Sequence, residues 1–337
     1  MSYMAKSIWL LEPANYTSEI RHAMETFYKS WLPLHSKEDD IYLYHYTTLS
    51  GLQGILTNRM FWSSHSSSFN DPSELQYGKQ LVKEELRKAK NYEDRREITK
   101  MLDELLNYVD VYDTILYHNF VTCFCESGNL LSQWRGYADD GGGFSIGVTF
   151  STDTSFFHEI DNLKDTSYLI LRKVIYEPAK QKTLISKYIQ SLIEASNTAL
   201  NRFESSTYGI PTTWSVEAAL QAINIFIELI ISFKNPAFQE EAEWRLIKVI
   251  QASHKPELCH FRDTKSGLIP YLHTYICEKK DVHKFPLHQI RFGPLLDPSQ
   301  TKSSLELLVH RLSKNANPIM MDANTISISD AGYRIRR

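Results

Sequence analysis

Cysteine is scarce in this chain. Four thiols, Cys123, Cys125, Cys259 and Cys277, are scattered through 337 residues, too few and too dispersed for a disulfide framework. Cys123 and Cys125 flank Phe124 in an apolar run and read as buried thiols on one strand face. No His/Cys group has metal-ligand spacing, so no metal is expected. Basic excess is missing too: 37 Lys and Arg stand against 40 Asp and Glu, a net charge of −3, so no global field recruits nucleic acid. The most apolar stretch, residues 220–233, is too short to span a bilayer and contains Asn224 and Glu228. Residues 1–15 lack the cationic start and apolar run of a signal peptide. These absences predict a cytoplasmic protein with no membrane partner. GxSxG, HExxH, a Walker A loop and the kinase series are absent as well, which leaves protease, metalloenzyme and kinase readings without support.

What is present is ordinary globular material, 42% hydrophobic and 23% charged, enough for a sizeable core. Residues 16–34 carry Ile20, Met24, Phe27 and Trp31 at helical spacing, and Pro33 ends the pattern. This predicts an N-terminal helical extension over 1–38. Residues 39–337 read as one domain, with helical inserts near 74–108 (broken near Asn91) and 180–233. Strands are expected over 41–46, 60–64, 120–125, 144–150, 172–176, 246–250, 269–272 and 288–292. Further helices are expected over 49–56, 130–138 and 305–312. Strands and helices mix without regular βαβ alternation, so the fold class is α+β.

The chemistry-bearing stretch is Gln239-Glu240-Glu241-Ala242-Glu243-Trp244-Arg245, which runs into an apolar strand. In an extended segment Glu241 and Glu243 share a face. Such a pair at a strand mouth suits catalysis, but it also describes a charged strand end held by Arg245, Arg262 or Arg291. His45 shares a strand face with Ile41 and Leu43 and should sit at the core edge. Ser63 and Ser64 end the next strand and could offer hydroxyls to a ligand. Asn70-Asp71-Pro72 is a turn signal, and Glu74 then falls in a first helical turn, near the presumed cleft. Trp134 and Tyr137 lie three apart, on one helix face, and could stack on a planar ring or pack on the sheet. The glycines at 141–143 form a turn that could let backbone approach a ligand.

Taken in order, Tyr44-His45-Tyr46-Thr47, Phe69-Asn70-Asp71-Pro72-x-Glu74, Cys123-Phe124-Cys125, Trp134-x-x-Tyr137-Ala138, Gly143-Phe144 and Phe238-x-x-Glu241-x-Glu243-Trp244-Arg245 resemble an uncharacterised, mostly bacterial family, domain-of-unknown-function family 2971. The His-Tyr-Thr start, a second strand ending in serine and a late Glu-x-Glu are also similar to the ADP-ribosyltransferase superfamily. That second resemblance implies a mixed or antiparallel β core with a central cleft and inserted helices. It implies NAD as substrate, with His45 on a ribose hydroxyl and Ser63 or Ser64 at the nicotinamide. Glu243 would be the catalytic carboxylate and Glu241 would position or deprotonate the acceptor. Tyr46, Trp134 or Tyr137 would stack on a ring, and Thr47, Asn70, Asp71, Glu74 and Arg245 would belong to the same cleft. The implied activity is ADP-ribosyl transfer or NAD glycohydrolysis, in a toxin or phage-defence effector acting on nucleic acid or protein. The alternative is a non-catalytic module that senses a nucleotide, or binds a protein partner, through the same cleft. The departures are an incomplete serine triplet after the second strand and a long helical insert before the last motif.

Overall fold

The structure is a computed structural model and describes residues 18–31, 40–69, 73–111, 117–151, 154–158, 168–251, 259–264, 267–278, 285–313 and 326–328. In chain order the elements are α1 (Ser18–Trp31), β1 (Ile41–Thr47), α2 (Leu49–Asn58), β2 (Met60–His65), α3 (Ser73–Asn91), α4 (Arg96–Val111), β3 (Tyr117–Cys125), α5 (Leu131–Tyr137), β4 (Phe144–Phe150), β5 (Thr154–His158), β6 (Tyr168–Lys173), α6 (Pro178–Glu204), α7 (Trp214–Ser232), β7 (Glu243–Gln251), β8 (His260–Thr264), β9 (Gly267–Glu278), β10 (Leu287–Phe292), α8 (Pro298–Ser313) and β11 (Ile326–Ile328). The fold is α+β: one large sheet, antiparallel except where β10 meets β11, with a helical layer on one face.

Strand alternation divides the core. Phe124 and Leu246 point to one side, where Leu43, Phe61, Ile146 and Ile290 meet Leu52 of α2 and Leu305 of α8. Val121 and Ile247 point to the other, into the layer built by α1, α3, α4, α6 and α7. Helix α7 is the centre of that layer. It is long and apolar enough to cross a membrane, yet it is mostly buried inside the protein. Its polar residue Glu228 is 1% exposed and bonds Arg172 of β6 at 2.8 Å. The Arg172 guanidinium lies 4.7 Å from the Tyr28 ring and 4.2 Å from the Trp31 ring of α1. The N-terminal helix is therefore packed into the core rather than laid on it.

The sheet forks at β3. One edge of β3 pairs with β7 along its whole length, from Tyr117↔Gln251 to Cys125↔Glu243. The other edge is divided between two strands: β1 holds it at Tyr44↔Cys125, and β2 holds it at Ser64↔Val121 and His65↔Phe120. Between these points neither strand pairs with β3, so backbone groups there need another partner. His45 supplies it, its ring Nδ1 lying 2.9 Å from the Cys123 carbonyl oxygen. Behind the fork, Gly143 closes the turn into β4. A Cβ there would lie 2.4 Å from the Thr47 carbonyl oxygen, so this glycine serves backbone packing under β1 rather than a ligand.

Several expectations shift in their bounds, among them the helix expected over 305–312, which begins at Pro298. Residues 172–176 begin earlier, as β6, and end in a single bridge from Ile175 to Phe233. Residues 269–272 are the middle of a longer strand, β9, which carries Pro270 opposite Phe261.

Because the Arg172–Glu228 pair is almost dry, removing one partner strands the other. Glu228→Ala is expected to cost about 3–5 kcal/mol in chemical denaturation. The double replacement Arg172→Met with Glu228→Leu should cost clearly less than the sum of the two single changes.

Candidate functional site

The fork opens a cleft of about 1020 Å³. The end of β1 (His45, Tyr46 and Thr47) forms one wall, with Trp62 and Ser64 of β2, Cys123 of β3 and Arg262 of β8 around it. Tyr137, Glu74, Lys234, Glu241, Glu243 and Arg245 also line it. A small pocket of about 50 Å³ shares His45, Cys123, Tyr137, Glu241 and Glu243 with it.

The acidic side is a buried cluster of five charges. Lys234 leaves the C-terminal end of α7 and reaches Glu241 at 2.5 Å, Glu243 at 2.9 Å and Glu74 at 3.6 Å. Arg245 donates from Nε and Nη2 to the two oxygens of Glu243, each at 2.9 Å, and from Nη1 to the Ile231 carbonyl at 2.5 Å. Its Nη2 also binds Glu74, in the first turn of α3. Local backbone explains the convergence. Glu241 ends a 3-10 turn, Ala242 is left-handed at φ 43°, and Glu243 opens β7. A non-glycine residue there costs about 1–2 kcal/mol. The kink carries both carboxylates to Lys234, and strand alternation plays no part in it.

The two carboxylates are driven apart. Burial raises Glu243, but the charges of Arg245 and Lys234 outweigh it and hold this carboxyl at about 2. Burial pushes Glu241 above the usual range, Glu243 and Glu74 add to the push, and the Lys234 bond does not cancel it. A pair split this way differs in proton affinity: Glu243 stays ionised, and Glu241 holds a proton more readily. Burial opposes the charge on Lys234, yet Glu243 and Glu74 raise its pKa and keep it ionised. Of the two thiols expected to be buried, Cys125 is, but Cys123 is exposed and lines the cleft; desolvation by its surroundings, then the Glu243 charge, raises its thiol, so it is a poor nucleophile. Burial likewise raises Tyr137 to about 12.

Burial lowers the pKa of His45 below its ordinary value, the bond to the Cys123 carbonyl opposes this, and Arg262 adds to the lowering, which together favour the uncharged ring. Its Nδ1 faces a carbonyl, which only accepts, so Nδ1 carries the proton. That leaves Nε2 as an acceptor, suited to a hydroxyl.

The cleft does not gather every residue singled out in the sequence. Ser63 is 0% exposed and bonds Thr122 at 2.7 Å and Thr274 at 2.5 Å inside the sheet. Strand alternation puts Ser64, not Ser63, on the cleft side. Trp134 is also 0% exposed; it donates to Asn129 at 2.9 Å and stands edge-on to Tyr46 at 5.0 Å. It is core, and Tyr137 alone of that pair reaches the cleft. Asn70 and Asp71 lie outside the described residues. Lys234 was missed, although a lysine directly after the apolar run of α7 signals a buried charge awaiting partners. Among the described residues no His/Cys/Asp/Glu group is arranged to hold a metal ion.

Fold and site thus define an α+β protein with a forked sheet and a charged cleft at the fork. The family described as "Protein of unknown function (DUF2971)" matches residues 133–246, about a third of the chain, including Lys234, Glu241, Glu243 and Arg245. No curated protein and no solved structure matches the chain.

The depressed Glu243 contributes stability that is present above the ordinary carboxylate pKa of about 4.3 and is lost as pH falls toward about 2. Glu243→Gln should therefore cost about 3–5 kcal/mol at pH 7. The gap from wild type, followed by urea unfolding, should narrow steadily as pH falls below about 4.

Proposed function

We propose that the cleft binds a dinucleotide of the NAD class and breaks its nicotinamide–ribose bond, transferring ADP-ribose to an acceptor or to water, on an ADP-ribosyltransferase-like fold. The observation that carries this reading is the convergence of His45, Ser64, Glu241 and Glu243 on one cleft at the fork of the sheet. Cleavage of an N-glycosidic bond builds positive charge on the ribose, as in glycoside hydrolysis. The cluster holds three carboxylates against two cations, and its surplus negative charge lies beside the space where that ribose would sit. Glu243 is ionised at every physiological pH and supplies the fixed field. Glu241, with its raised pKa, is suited to take a proton from the acceptor, a nucleic acid, a protein or water. His45 Nε2 would accept from a ribose hydroxyl, and Tyr137, 41% exposed, would cover a ring.

A non-catalytic nucleotide-binding module is the second reading. It is favoured by the saturation of Glu243, both of whose oxygens are already held by Arg245. The two readings part on one assay. Purified protein given NAD is expected to release nicotinamide, measured by chromatography. Glu243→Gln should abolish release and Glu241→Gln should lower it at least tenfold, with NAD binding retained in both. NAD binding without release across varied acceptors would select the module, and absence of NAD binding would remove both readings.

A further inference from the structure

Three permanent cations line the cleft, and two of them, Lys234 and Arg245, are fully engaged by glutamates. The third is not. Arg262, on β8, has no carboxylate within ion-pair distance among the described residues. Its Nη2 donates to Ser64 Oγ at 2.8 Å, while its buried Nε has no partner among them. The adjacent Asp263 also borders the cleft but makes no ion pair with Arg262. Burial without a counter-charge lowers the pKa of Arg262, the reverse of what happens at Arg245. A half-desolvated guanidinium with open donor edges lacks the anion that would compensate it.

Its surroundings indicate what that anion is attached to. The guanidinium lies 5.7 Å from the ring centroid of Trp62, which is 42% exposed and borders the cleft. Trp62 is in turn backed by Tyr271, stacked at 4.5 Å and 29°. A rigid exposed indole supported from behind is a shelf for a planar ring, and the donor fork of an arginine matches phosphate oxygens. We infer that Arg262 and Ser64 form a phosphate subsite and Trp62 the adjoining base shelf, so that the cleft recognises a nucleoside diphosphate. The inference rests on the nucleotide reading of the cleft and assigns the Arg262–Trp62 part of it to the adenosine diphosphate half of the ligand.

The test uses ADP and adenosine as probes, with affinities from calorimetry, and does not depend on turnover. Wild type should bind ADP at least tenfold tighter than adenosine, and added salt should erode that preference. Loss of a charge-assisted contact corresponds to about a ten- to hundredfold change. Arg262→Gln should lose that much ADP affinity and leave adenosine affinity unchanged, Arg262→Lys should lose less, and Trp62→Ala should weaken both probes. Equal wild-type affinity for ADP and adenosine would overturn the inference, as would ADP binding untouched by Arg262→Gln; the first comparison needs no variant to fold. Nicotinamide release from NAD is read separately. If release fails while ADP binding depends on Arg262, the catalytic reading falls and the subsite stands; if release occurs and Arg262→Gln leaves ADP affinity unchanged, the subsite falls and the catalytic reading stands.

Discussion

The site depends on one buried lysine. Lys234 stands at the end of an apolar helix and is almost dry. A lone ammonium there would be intolerable without close counter-charges. Three separate elements provide them: the first turn of α3, a 3-10 turn and the mouth of β7. Arg245 then locks Glu74 and Glu243 from the strand side. The ends of the helical layer and the sheet are thereby joined through charge rather than through apolar packing. Such a cluster is a poor source of net stability, since its desolvation cost is of the same order as its attraction. What it does confer is position, because each carboxylate has one place to go.

The second constraint is the fork. β1 and β2 compete for one edge of β3, each wins part of it, and the backbone between must be satisfied by a side chain. His45 meets that need through Nδ1, which sets its tautomer and leaves Nε2 as the acceptor on a ring that lines the cleft. The same break in pairing opens space between the strands. Cleft and histidine thus share one cause, and the ion cluster and the paired Cys125↔Glu243 position frame the opposite side.

Local patterns made much of this legible. The aromatic and β-branched runs that became β1, β2, β3 and β4 gave their strands to within a residue or a few, because such side chains suit a pleated, half-buried surface. The break at Asn91 separated α3 from α4 as expected. His45 was readable because it shares a face with Leu43. The pairing of Glu241 with Glu243 was anticipated for an unrelated reason: they meet through the left-handed Ala242, which no alternation rule foresees. Ser63 against Ser64 could not be decided without knowing which face of β2 turned inward. Trp134 looked like a ligand platform because a helix face alone does not say whether the sheet covers it. Lys234 carried a local signal, its place directly after the apolar run of α7, with Glu241 and Glu243 seven and nine residues on; Arg262 was beyond local reading, since its meaning lies in a carboxylate partner that is absent among the described residues and in Ser64, 198 residues away.

The central claim is that this cluster separates two neighbouring glutamates into a fixed charge and a group that holds a proton more readily. Carbon-13 NMR titration of carboxyl-labelled glutamate, with Glu241→Gln and Glu243→Gln used for assignment, tests it directly. The account predicts that Glu243 titrates near 2 and Glu241 above the ordinary glutamate range. Ordinary values for both, or the reverse order, would contradict it.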